Sequence, residues 1–144
     1  MKKVLIFVFL LIVSNLMAIS NDCIKTSEQE TLTLTNALET FKKAYEIIDV
    51  GKADTKYAYA EEIALLDKKG SLSVDTFKKA YETIEVGKPD TKYAYAKEIA
   101  LLDKKGSLSI ETFKTAYEAI EVGKADTKYA YAKKIALKEM QSKR

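Results

Sequence analysis

The chain has 144 residues, with 24 lysines and arginines against 21 aspartates and glutamates, and it contains no histidine or tryptophan. The lack of histidine excludes His-based triads and Cys/His zinc sites. Its five glycines stand singly, so there is no glycine-rich phosphate-binding loop. The composition therefore predicts a protein that is not an enzyme and that needs no cofactor and no metal.

The first 20 residues have the layout of a secretory signal peptide. Two lysines precede an apolar run over 4–13, and Ala18 and Ser20 would occupy the last positions before a cleavage site. A retained membrane anchor is the alternative, but Ser14 interrupts the run well short of the ~20 apolar residues that span a bilayer. We predict a periplasmic or secreted bacterial protein with no stable membrane insertion after cleavage.

Removal of residues 1–20 would leave 22 basic against 21 acidic side chains, because only Lys2 and Lys3 are lost. This near-neutral balance does not favour nucleic acid as a partner. Cys23 is the only cysteine, so it can stay free, link two chains into a dimer or carry a lipid. Asp22 before it speaks against the lipid, because a lipoprotein signal has a small residue there.

Residues 21–34 carry no helical stripe of apolar residues, and we predict a flexible N-terminal lead-in. Asn36, followed by Glu39 three residues later, has the spacing of a capping box. The first helix of the domain is therefore expected to begin there.

Three copies of a 36-residue unit fill the remainder of the chain, at 35–70, 71–106 and 107–142. The second copy differs from the first at 9 positions and matches the third at 25 of 36. A fixed period between 20 and 50 residues is typical of solenoid arrays. We predict an all-α fold, a short α-solenoid of three helix-turn-helix repeats.

The first helix of each repeat is amphipathic. In the middle copy Val74, Phe77 and Tyr81 form one apolar stripe at helical spacing. Ser73 is the expected N-cap, and Gly87 is expected to end the helix with a positive φ.

The second helix of each repeat follows Pro89 or its equivalents. Asp90 or Thr91 is expected to cap it, and Gly106 is expected to end it. Tyr95 and Ile99 are predicted to lie on its buried stripe.

In its helical hairpins the chain resembles the broad class of tetratricopeptide-type repeat proteins. Bulky residues near the start of the first helix and alanines in the second carry the likeness: Phe41, Phe77, Phe113, Ala60, Ala96 and Ala132. The period of 36 differs from the 34 of that class. The resemblance implies a scaffold or binding role and transfers no site.

The sequence is most consistent with an exported module that binds a protein or peptide. Stacked repeats would align one lysine and one tyrosine from each second helix into a ladder, which comprises Lys56, Tyr57, Lys92, Tyr93, Lys128 and Tyr129. Packing of the tyrosines between repeats is the alternative. We expect this row to be exposed, and the row at 59, 95 and 131 to be buried beside the isoleucines at 63, 99 and 135.

A calcium-responsive helix-loop-helix protein is the alternative function. The segment from Asp67 to Phe77 is similar to the later part of an EF-hand loop, with Gly70 at its sixth position. Asp67 would hold the third ligand position, but Lys69 stands at the fifth, where an oxygen ligand is needed.

Overall fold

The computed structural model describes residues 23–121 and 123–143, and every regular element in this part of the chain is an α-helix. The helices are α1 (Cys23–Ile47), α2 (Ala53–Lys68), α3 (Val74–Thr83), α4 (Pro89–Lys104), α5 (Ile110–Ala119) and α6 (Ala125–Ser142). The predicted all-α class is confirmed. The predicted signal peptide lies outside the described residues. Among the helices described, none has the length and hydrophobicity needed to cross a membrane.

The chain divides into two units, 1–36 and 37–144. In the first unit the described residues belong to α1, so the predicted helix start at Asn36 is wrong and the predicted lead-in is helical from Cys23. The hydroxyls of Thr33 and Thr35 donate to the carbonyls of Glu30 and Thr31, each at 2.8 Å. These bonds satisfy the threonine hydroxyls with carbonyls of the preceding turn of the same helix.

In the second unit, α3 ends earlier than the sequence predicts. Its last residue is Thr83, and Ile84 follows in an extended conformation with φ −81° and ψ 119°. The Ile84 side chain is fully buried. Positive φ angles occur at Gly70 and Gly106 and not at Gly87, so the prediction that Gly87 ends the helix is wrong. Burial of the isoleucine in the core, rather than a glycine turn, sets this boundary.

The ends of α2 and α4 follow the prediction. Gly70 and Gly106 have φ angles of 69° and 68°, which a residue with a Cβ rarely adopts. The N–H of Gly106 donates to the Asp103 carbonyl, and the next N–H donates to the Leu102 carbonyl, both at 2.9 Å. This pair of bonds is a Schellman motif, which satisfies carbonyls that the helix end would otherwise leave unpaired.

Part of the core of the second unit comes from the stripe predicted for α3. Phe77 is fully buried, and Val74 and Tyr81 are exposed by 6% and 3%, which confirms the stripe of α3. Helices α3 and α4 pack as one hairpin, and α5 and α6 as the next. Helix α3 also contacts α2 and α5, and α5 contacts α4, so each hairpin packs against its neighbour in the chain.

Candidate binding surface

The predicted ladder does not lie on the surface as expected. Tyr93 and Tyr129 are each only 3% exposed, and Tyr57 is half-buried, so the prediction that this row is exposed is wrong. Tyr93 shares a buried stripe with Ala96 and Ala100, and its ring meets the Phe77 ring edge-on at 5.9 Å. The small alanine side chains leave space on this stripe, and the large Tyr93 ring occupies that space.

Tyr93 joins two repeats. Its ring stacks on the Tyr59 ring of the preceding repeat at 3.8 Å, with an angle of 3° between their planes. Its hydroxyl donates to Glu62 Oε2 at 2.5 Å, and Lys97 Nζ donates to the other carboxylate oxygen, Oε1, at 2.9 Å. We call Tyr59, Glu62, Tyr93 and Lys97 the first inter-repeat cluster.

The same cluster recurs one repeat later. Tyr95 stacks on Tyr129 at 3.8 Å, with 2° between the ring planes. Glu98 accepts hydrogen bonds from the Tyr129 hydroxyl at 2.6 Å and from Lys133 Nζ at 3.0 Å. We call these four residues the second inter-repeat cluster. A shift of 36 residues therefore carries each contact onto its counterpart.

Each cluster shifts the pKa of its glutamate and of its buried tyrosine. Burial alone would raise the pKa of the Glu62 and Glu98 carboxyls, but the hydrogen bonds from tyrosine and lysine outweigh it and lower the pKa. Burial raises the pKa of Tyr93 and Tyr129, and the neighbouring carboxylate raises it further. Both effects favour a neutral phenol that donates to an ionised carboxylate.

The ladder lysines contact a different set of tyrosines. Lys56, Lys92 and Lys128 place Nζ over the rings of Tyr45, Tyr81 and Tyr117 at 4.5, 4.6 and 4.5 Å. Each is a cation–π contact between two helices that follow one another in the chain: α1 and α2, α3 and α4, and α5 and α6. Lys128 also lies 3.9 Å from a Glu85 carboxylate oxygen of the preceding repeat. The ladder lysines and tyrosines thus serve packing within and between the repeats.

A second row of tyrosines, at 59, 95 and 131, is the more accessible one. Tyr59 and Tyr95 are half-buried, and Tyr131 is 52% exposed. We call these three residues the outer row. Sequence reasoning missed it because both tyrosine rows lie at helical spacing from buried residues. The stripe of Tyr93, Ala96 and Ala100 indicates which row is buried. It is hard to recognise in the sequence because two of its three residues are alanines.

The outer row uses aspartates that were expected to cap helices. The hydroxyl of Tyr59 donates to Asp90 Oδ1 at 3.1 Å, and that of Tyr95 donates to Asp126 Oδ1 at 3.2 Å. Helix α4 has Lys88 at its N-cap position without a side-chain bond, and Pro89 begins the helix. The prediction that Asp90 caps this helix is therefore wrong. Pro89 has no backbone N–H, so the first turn of α4 has one fewer donor that needs a partner.

Asp67 and Asp103, the aspartates of the EF-hand comparison, act as helix caps. Asp67 Oδ1 accepts from the Val74 N–H at 2.9 Å, and Asp103 Oδ1 accepts from the Ile110 N–H at 2.8 Å. Ser73 occupies the N-cap position of α3 but makes no side-chain cap bond, so that prediction is wrong. Within the described residues no group of three potential metal ligands occurs.

Comparison with known protein families, with curated proteins and with solved structures finds no match to this chain.

Proposed function

We propose that the chain is an exported, non-catalytic scaffold whose three repeats stack as a short α-solenoid of tetratricopeptide-like kind. It binds a protein or peptide partner through the outer row. The observation that supports this proposal most directly is the recurrence of contacts at an interval of 36 residues.

Three kinds of contact recur in this way. The stacked tyrosine pair at 3.8 Å appears twice, and so does the glutamate that bonds both tyrosine and lysine. In two places a tyrosine hydroxyl also accepts a hydrogen bond from a backbone N–H of the preceding repeat. The N–H of Asp49 donates to Tyr81 and the N–H of Glu85 donates to Tyr117, each at 3.0 Å. Repeats that meet only their neighbours through identical contacts are the basis of a solenoid.

The outer row fits a binding role because two of its tyrosines, Tyr59 and Tyr95, are held in place while part of each ring meets solvent. Tyr59 and Tyr95 each have one ring face on a buried tyrosine and a hydroxyl bound to aspartate. Ordering such a side chain costs little entropy on binding, since it is already fixed. Tyrosine is enriched at interface hot spots for its large area and polar tip.

Site-specific photo-crosslinking in the producing cells tests the binding surface. A photoreactive residue at Ala94, which is exposed next to Tyr95, should crosslink to a discrete partner. The matched control is the same residue at the exposed Lys114 on α5. Equal crosslinking at both positions, or none at Ala94, would contradict the assignment of this surface.

Affinity for the crosslinked partner then tests the tyrosines themselves. The double variant Tyr59→Ala and Tyr95→Ala should lose binding by about tenfold or more while it stays helical. Lys78→Ala combined with Lys114→Ala removes exposed side chains from α3 and α5 and should bind like the wild type. If the lysine variant loses affinity and the tyrosine variant keeps it, the partner binds the other helices.

A further inference from the structure

We infer that copies of this chain associate head to tail, with the end of the third repeat of one copy on the start of the first repeat of the next. The C-terminal face is formed by Glu121, Tyr131, Lys134 and Ile135. The N-terminal face is formed by Leu38, Asp54, Lys56, Tyr57 and Glu61. This inference uses the contacts between neighbouring repeats as its template, and it shares only Tyr131 with the proposed partner-binding surface.

Both faces expose apolar side chains whose counterparts inside the array are buried. Ile135 is 48% exposed, whereas Ile63 and Ile99 are fully buried. Leu38 is 53% exposed, whereas its counterparts Val74 and Ile110 are exposed by only 6% and 7%. Each end therefore retains surface that an additional repeat would cover, and covering it removes apolar area from water.

The two ends carry opposite changes of charge: a lysine replaces a glutamate at one end, and a glutamate replaces a lysine at the other. Inside the array a glutamate of one repeat accepts from a lysine of the next, as in Glu98 and Lys133 at 3.0 Å. The position of Glu98 is taken by Lys134 in the third repeat, and that of Lys133 is taken by Glu61 in the first. In a head-to-tail contact Lys134 would meet Glu61. The two reversals together preserve an ion pair, although either one alone would bring like charges together.

Other contacts of the internal interface also find counterparts at the two ends. Tyr131 corresponds to Tyr95, so it would stack on Tyr57 and donate its hydroxyl to Asp54. Glu121 corresponds to Glu85 and would lie near Lys56, as Glu85 lies 3.9 Å from Lys128. The hydroxyl of Tyr57 has no carboxylate acceptor there, because Lys134 stands where Glu98 accepts from the Tyr129 hydroxyl.

A further residue makes the end contact weaker than the internal one. Lys138 stands where Leu66 and Leu102 pack against the core, and it is exposed. The contact is heterologous, because two different faces meet, so each added copy leaves a new free face. We therefore expect reversible, concentration-dependent chains of copies rather than a closed dimer.

Charge exchange tests this inference on the purified full chain by sedimentation velocity up to millimolar concentration. The wild type should form species larger than a dimer as concentration rises. Lys134→Glu and Glu61→Lys should each weaken association about three- to tenfold, because each places like charges opposite one another. The double variant should regain at least the wild-type affinity, since it restores the internal pair.

Circular dichroism of each variant checks that the fold is intact, and both positions accept either charge in the neighbouring repeats. A wild-type chain that stays monomeric while the double variant associates would overturn the inference. Lys134 and Glu61 would then prevent association between copies instead of supporting it. Association that neither single variant weakens would overturn it as well, because the interface would lie elsewhere.

Discussion

Tyr117 links the third repeat to the second through a backbone hydrogen bond. Its hydroxyl accepts from the Glu85 N–H at 3.0 Å, two residues beyond the last residue of α3. Tyr117→Phe should lower the free energy of unfolding by about 1–3 kcal/mol, because this partly buried N–H would lose its acceptor. Denaturant unfolding measures the change. The matched control is Tyr131→Phe on the exposed end, which should change it by less than about 0.5 kcal/mol.

The two tyrosine rows should differ sharply in their effect on stability. Tyr93→Ala should cost about 3–5 kcal/mol, because it empties a site that Phe77 and Tyr59 enclose. Tyr131→Ala should cost less than about 1 kcal/mol, because that ring is 52% exposed. Thermal and denaturant melts of both variants give the ranking, and the reverse order would contradict the packing described for α4.

Local sequence predicted the features that depend on local chemistry. The stripe of Val74, Phe77 and Tyr81 is buried because helical spacing alone brings these side chains to one face. Gly106 ends α4 because a positive φ there favours glycine whatever lies nearby.

The features that sequence reasoning missed depend on contacts with neighbouring elements. Helix α3 ends at Thr83 because Ile84 enters the core and Tyr117 satisfies the next N–H, and neither fact is visible within the segment. Which of the two tyrosine rows is buried also depends on contacts with a neighbouring element. Both rows fit a helical stripe, and the packing of Tyr93 against the preceding repeat decided which row is buried.

The cap of α5 should depend on Asp103 rather than on Ser109. Asp103 Oδ1 accepts from the Ile110 N–H at 2.8 Å, whereas Ser109 makes no side-chain cap bond. Asp103→Ala should therefore cost about 0.5–2 kcal/mol, and Ser109→Ala less than about 0.5 kcal/mol. Equilibrium unfolding in urea compares the two variants. A larger loss from the serine variant would show that the hydroxyl caps the helix after all.

Calcium should not stabilise this protein. Asp67 and Asp103 already accept backbone hydrogen bonds, and Lys69 and Lys105 stand where a calcium loop needs oxygen ligands. The melting temperature in millimolar calcium should equal the melting temperature in the same concentration of magnesium. A saturable rise with calcium alone would contradict this prediction, and Asp67→Asn would then identify whether the segment from Asp67 to Phe77 holds the ion.

Acid should destabilise the fold through the two glutamates of the inter-repeat clusters. The pKa of Glu62 and Glu98 is lower in the folded protein than in the unfolded chain, where a glutamate has a pKa of about 4.3. A group with this sign contributes stability above its unfolded pKa and loses the contribution as the pH falls through its folded pKa. The free energy of unfolding should therefore decrease as the pH drops below about 4.3.

The double variant Glu62→Gln and Glu98→Gln should be less stable than the wild type at neutral pH and should lose less stability on acidification. Its amides remove the proton uptake that accompanies unfolding of the clusters at low pH, because a glutamine does not titrate. Glu82→Gln is the control, since that carboxylate is exposed and lies 3.8 Å from Lys78 on the same helix. Urea unfolding across the acid range gives the three curves. If the double variant runs parallel to the wild type, the acid sensitivity arises from carboxylates outside the clusters.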